Sequence, residues 1–311
     1  MNFSSHSPIC SQLASSAVSV PEWRPNFLNS EMSVALISLT IVNLLVSPLT
    51  IFLNVLVILA VKTAPQLRDK YNVLLACMAG TDIMTGALAQ PVFIAELIYR
   101  LTGSPESEFC IIPHATRVLT GTFGLISLQH LALISMERYI SIKFPFKYRD
   151  IVTKRRLIVC DVLALLLVFT ALFFRFKVVL FSHFLIMFVI YLPIFVLIFC
   201  RIASYHEARK RIRNITTQSA RAKFFKQKKA LKTTSFVIGL VFLFYVPMPL
   251  FRAVFAPLIS SPETYLALEA CMITLVLCNS VSSPVVYCAR SAQYRQAFRK
   301  LLHIANNVQP L

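Results

Sequence analysis

The sequence predicts an all-α membrane protein: a seven-transmembrane helix bundle with a short amphipathic eighth helix. Three observations lead there. Only 14% of residues are charged and 57% are hydrophobic, where soluble domains carry about 25% charged residues. The apolar residues gather in runs long enough to cross a bilayer, which takes roughly 20 residues each. Of the 31 Lys and Arg, 25 fall on one side once alternate runs are read as crossings, and such a bias sets membrane orientation.

In chain order, residues 1–32 are polar and carry Pro8, Pro21 and Pro25. They are expected to form a disordered extracellular tail, with Asn2 in a glycosylation sequon. The seven spans occupy residues 33–290. The first run is about Ser33 to Val61, and Lys62, Arg68 and Lys70 follow it. With Arg24 the only base before it, the N-terminus is expected outside. Asn54 is its deepest strongly polar group. The second run, about Asn72 to Ile98, holds Asp82 at its middle, where a carboxylate is a functional candidate. Pro91 is expected to kink its outer half.

The third run, about Pro113 to Ile140, ends on Glu137-Arg138-Tyr139. The fourth, about Leu157 to Phe174, and the fifth, about Val178 to Ala203, form one apolar block whose length requires two crossings. Residues 204–232 are strongly basic. The sixth run is about Thr233 to Phe255 and the seventh about Tyr265 to Cys288. In residues 291–302, Tyr294, Phe298, Leu301 and Leu302 share one face with bases opposite, the pattern of a helix lying on a membrane. Residues 303–311 are a polar cytoplasmic tail.

The net charge of +18 would suggest nucleic acid in a soluble chain. Here the bases lie between apolar runs, so the expected partners are anionic membrane lipids and not nucleic acid. No CxxC pair or Cys/His metal spacing occurs, and no catalytic cluster of His, Cys or acids converges. Neither an enzyme nor a resident metal is expected. Six glycines and an odd span count disfavour a transporter of inverted repeats, which stays the remote alternative.

Seven features in order resemble the rhodopsin-like (class A) G-protein-coupled receptors. They are Asn54, Asp82, Arg138 within Glu137-Arg138-Tyr139, Pro193, Pro247, Ser283-Pro284-Val285-Val286-Tyr287 and the helix start at Tyr294. The resemblance implies a plasma-membrane receptor that senses an extracellular small molecule, lipid or peptide and activates a heterotrimeric G protein. Glu137, Arg138, Tyr139, Pro247, Pro284 and Tyr287 are then the activation switch. Asp82, Asn54, Asn279 and Ser283 form a polar hub, with a sodium ion near Asp82 as the one implied cofactor. Glu96, Arg117, Thr120, Tyr245, Arg252 and Glu269 are candidates for the ligand pocket.

Departures from the pattern matter. Ser283 replaces the usual Asn, which is expected to weaken the link to Asp82. Tyr245 stands where a Trp is common, and Arg201 where a Tyr is common. These departures leave open a receptor that has lost signalling. The second outer loop has no cysteine, so Cys10 is the alternative partner of Cys110. No Lys occurs from 264 to 289, which excludes an opsin-type Schiff base there, and Thr120 replaces the amine-anchoring Asp. Arg117 and Arg252 either meet an anionic ligand, pair with Glu96 and Glu269, or snorkel outward.

Overall fold

The computed structural model describes residues 30–102, 111–175, 179–214, 236, 239–240 and 242–302. The protein is a seven-helix membrane bundle, and no strand occurs among the described residues. Five helices there are long and apolar enough to cross a membrane. Cys10, Cys110 and Asn2 lie outside the described residues.

α1 (Ser30–Thr63) starts three residues before the expected run, with Glu31 in its first turn and Lys62 in its last, matching the helix dipole. Its buried polar side chains Thr40, Asn43, Ser47, Thr50 and Asn54 recur every three or four residues. They therefore form one stripe facing the bundle. The large apolar residues Ile37, Ile41, Leu44, Leu45 and Phe52 point outward and are exposed. That arrangement suits lipid as the solvent: polar groups must be satisfied between helices, and apolar ones need no shelter. Asn43 Nδ2 donates to Thr274 Oγ1 at 3.0 Å, Ser47 Oγ to the Gly86 carbonyl at 2.8 Å, and Asn54 Nδ2 to the Ser280 carbonyl at 3.0 Å.

α2 (Lys70–Thr102) is capped by Asp69, whose carboxylate accepts from the Asn72 amide. A π-helical turn, Thr85–Ala89, interrupts it just before Pro91. Pro91 offers no amide and its ring crowds the carbonyl four residues back, so the ladder widens there; the irregularity expected at Pro91 is this turn. Gly86 within it faces α1. A β-carbon on Gly86 would meet Ile51 Cγ1 at 2.9 Å and the Ser47 carbonyl at 3.1 Å.

α3 (Ile111–Lys143) packs on α2, α4, α5 and α7, and so sits at the centre of the bundle. A one-turn helix, Tyr148–Ile151, follows it. α4 spans Lys154–Arg175. α5 (Val179–Asn214) runs well past the expected Ala203, because Ser204 to Asn214 is rich in helix formers such as Glu, Ala, Arg and Lys.

In the sixth span, residues 239–240 and 242–245 are helical. Pro247–Leu250 and a π turn, Phe251–Phe255, continue it as α6. α7 (Pro262–Arg290) opens with Ser261 accepting from the Thr264 amide and contains Pro284.

α8 (Ala292–Leu301) is capped by Ser291. Its buried face is Tyr294, Ala297 and Phe298, packed with α1 residues in the core. This corrects the expected apolar face. Leu302 is exposed and lies past the helix end, while Ala297 supplies the missing inward position. The physical reason is that α8 docks on α1 and α7 at i, i+3, i+4 spacing, which needs a small residue at close approach.

Candidate functional site

Three polar constellations lie along the bundle. The middle one surrounds Asp82, which is fully buried on α2. Neither of its carboxylate oxygens has a hydrogen-bond partner among the described residues. Its electrostatic neighbours are Ser280 and His130. Asn279 and Ser283 are also buried, one turn apart on α7. Ser283 makes no hydrogen bond to Asp82, in keeping with its short side chain. Asn279 Nδ2 instead reaches the Tyr245 hydroxyl at 3.5 Å. Tyr245 packs against Gly124, where a β-carbon would lie 3.3 Å from its ring. Gly124 thus lets a tyrosine lie against α3 and send its phenol toward the hub. Asn54 fixes the nearby α7 backbone through the Ser280 carbonyl.

The donors present fit a sodium ion chemically. Asp82 offers two buried oxygens without donors, and the buried Ser127 hydroxyl also lacks a partner. Oxygen-only ligands with one negative charge suit a hard monovalent cation.

At one end of the bundle, α3 presents Glu137 buried and Arg138 partly exposed. Arg138 Nε lies 3.5 Å from Glu137 Oε2. Both atoms lack a hydrogen bond, so the pair is coulombic only. The other Glu137 oxygen accepts from the Tyr148 phenol. Burial, then the Glu137 carboxylate, push the Tyr148 phenol well above its ordinary pKa; it keeps its proton and stays a donor. The Arg138 guanidinium carbon lies 3.4 Å from the Tyr71 ring centroid. Tyr139 meets Phe199 of α5 edge-on, with ring centroids 6.0 Å apart. Tyr287 is buried and stacks near Tyr294 at 5.8 Å, whose phenol donates to Asn72 Oδ1 at 2.9 Å. Lys70 bonds the Val152 carbonyl, tying α2 to the segment after the one-turn helix. Pro247 opens the helical turn of α6 and Pro284 lies buried inside α7.

At the opposite end, Glu269 of α7 is buried between two guanidiniums. Arg117 Nε of α3 is 3.8 Å away and Arg252 Nη2 of α6 is 3.4 Å away. Glu96 pairs not with these but with Arg100, one helical turn on. Thr120 lies one turn below Arg117, its buried hydroxyl without a partner.

Sequence reasoning missed several partners. Arg100 was readable from its i, i+4 spacing to Glu96. Tyr71, Tyr148 and Asn72 carried no signal, since aromatic and polar residues are ordinary at membrane boundaries. Nothing in the sequence links His130 to Asp161. Yet His130 Nε2 lies 3.0 Å from Asp161 Oδ1, and its Nδ1 2.9 Å from the Ile126 carbonyl.

The family model described as 7 transmembrane receptor (rhodopsin family) matches residues 53–180, from the later part of α1 to the start of α5. The adenosine receptor A2a of Homo sapiens is 25% identical, covering 86% of this chain and 73% of that receptor. The histamine H2 receptor of Rattus norvegicus is 26% identical, covering 82% of this chain and 76% of that receptor.

Proposed function

We propose, from its likeness to the rhodopsin family of seven transmembrane receptors, that the chain carries an extracellular small-molecule signal to a heterotrimeric G protein at the Arg138 end. Its relatives are receptors and not enzymes, and the chain is a multi-pass membrane protein. The plasma membrane is the fitting compartment. The base-rich segments support a cytoplasmic Arg138 end and an N-terminus outside; a tag near residue 5 that is reachable only in permeabilised cells would reverse this. Both relatives are named for small molecules, adenosine and histamine, which supports a small molecule here. Thr120, in place of an acid, argues against an ammonium group.

The observation that carries the reading is the restrained arginine. Arg138 is stacked on Tyr71 and faces Glu137, whose second oxygen is occupied by Tyr148. Each contact belongs to one packing of the bundle and can be exchanged for another. Ligand contacts at the Glu269 end bias α6 about Pro247, which opens a cleft beside Arg138 and Tyr287. The G protein then takes Arg138 from Tyr71 and Glu137. Asp82 is the buried charge between the two ends. A sodium ion held by Asp82 and Ser127 would favour one packing by neutralising that charge.

The test is a G-protein dissociation sensor in cells bearing surface-tagged receptor. Arg138→Ala should abolish sensor response at unchanged surface level. A response that survives removes the coupling role. If neither the native chain nor any variant moves the sensor, the signalling-deficient reading prevails, with Ser283 and Arg201 as its sequence basis.

A further inference from the structure

We infer that the Glu269 end of the bundle binds an anion: a small carboxylate carried on an apolar or aromatic body, which replaces Glu269 on Arg117. The inference rests on the receptor reading for its meaning, but its chemistry stands on the charges alone.

Five ionised groups meet there, three arginines and two glutamates, so they sum to +1. Glu96 is paired with Arg100 on its own helix, whose Nε and Nη2 both reach its Oε1, while its Oε2 is buried without a hydrogen-bond partner. Arg117 and Arg252 lie instead against the single carboxylate of Glu269. The contacts, at 3.8 and 3.4 Å, are longer than the roughly 2.7–2.9 Å of a formed charge-assisted bond. Arg117 Nη2 is buried with no hydrogen-bond partner. A buried guanidinium that is only partly paired is costly. All of these charges except Glu96 also act on the Tyr265 phenol, so they converge on one place.

One more carboxylate would give each arginine its own acid and bring the sum to zero. A cationic ligand would raise it to +2 beside two guanidiniums, which disfavours amines. Access is from the Arg252 side, whose side chain is 48% exposed while Glu269 is 4% exposed.

The body of the ligand is suggested by what lies deeper. Phe123 and Met248 are partly buried against the apolar cluster that includes Ile273 and Ala270. Phe123 is six residues beyond Arg117, about 9 Å along the helix. Between them on α3 the buried Thr120 hydroxyl has no partner, a second polar point for the ligand.

The experiment uses the full chain in nanodiscs and reads its thermal unfolding midpoint. Three bodies are each presented as acid, amide and amine: phenylacetate, phenylacetamide and phenethylamine; indole-3-acetate, indole-3-acetamide and tryptamine; hexanoate, hexanamide and hexylamine. At least one carboxylate should raise the midpoint, half-saturating at a concentration about tenfold or more below its amide and amine. Arg117→Gln should remove that protection, and Glu269→Gln should strengthen it by removing the internal competitor. If Arg117→Gln does not fold, the half-exposed Arg252→Gln serves in its place and should weaken protection. An amide or amine that protects as well as its acid, no protection by any carboxylate, or protection unchanged in both arginine variants overturns the inference. The G-protein sensor separates this from the receptor reading. A carboxylate that binds in nanodiscs without any variant moving the sensor keeps the site and removes the receptor role.

Discussion

The Arg138 guanidinium carbon lies 3.4 Å from the centroid of the Tyr71 ring, so α3 and α2 are joined by a cation held over an aromatic face. The neighbouring acid holds it less directly, since Nε and Oε2 stand 3.5 Å apart without a hydrogen bond. A cation–π contact contributes about 0.5–2 kcal/mol, more when desolvated. Tyr71→Leu should therefore raise basal G-protein activity per surface receptor about fivefold, the equivalent of about 1 kcal/mol. Tyr71→Phe keeps the ring face and should leave it near the native level. Equal effects of the two would show that the phenol, and not the face, is what matters.

His130 presents both ring nitrogens to acceptors, the Ile126 carbonyl and the Asp161 carboxylate. Both positions are satisfied only when the ring carries two protons, or when Asp161 carries one. The pair joins α3 to α4, with His130 buried and Asp161 largely so. Removing one member of such a pair costs about 3–5 kcal/mol. His130→Gln and Asp161→Asn should each lower the unfolding midpoint of the full chain, and the double variant should be no worse than the worse single one. Additive losses would mean that the two side chains act separately.

Gly86 and Gly80 offer a matched comparison on α2. A methyl group at Gly86 would press on Ile51 and the Ser47 carbonyl, while nothing lies within 4 Å of the corresponding point at Gly80. Gly86→Ala should destabilise the chain by about 1–3 kcal/mol through overpacking. Gly80→Ala should be neutral or stabilising by about 0.5–1 kcal/mol, as for a glycine inside a helix. Thermal unfolding of both variants reads the difference, and equal midpoints would refute the close approach of α1 to α2 at this turn.

Much of the architecture was legible because lipid imposes a simple code. Apolar run length and base bias are local properties, and each described span lies where they put it. The polar stripe of α1 was only partly read, through Asn54. Asn43 and Ser47 gain meaning only from Thr274 and Gly86 on other helices, and no local pattern encodes those partners. The same holds for Tyr294 with Asn72 and for His130 with Asp161. At the Glu269 end, pairing of Arg117 and Arg252 with Glu269 was one of the open alternatives. Glu96 was drawn away by Arg100, a neighbour on its own helix. The extension of α5 to Asn214 escaped because hydropathy marks where the membrane ends, not where the helix does.

The most direct measurement of the central claim is basal G-protein activation by Glu137→Gln, normalised to receptor at the surface. Glu137 is buried, bonded by Tyr148 and facing Arg138. Gln can still accept from Tyr148 but brings no charge to hold Arg138. Each 1.4 kcal/mol lost from the closed packing shifts the balance about tenfold, so activity without ligand should rise several-fold or more. If activity per receptor stays flat while surface expression alone changes, Glu137 and Arg138 only mark a membrane boundary, and the switch placed at this end of the bundle is not one.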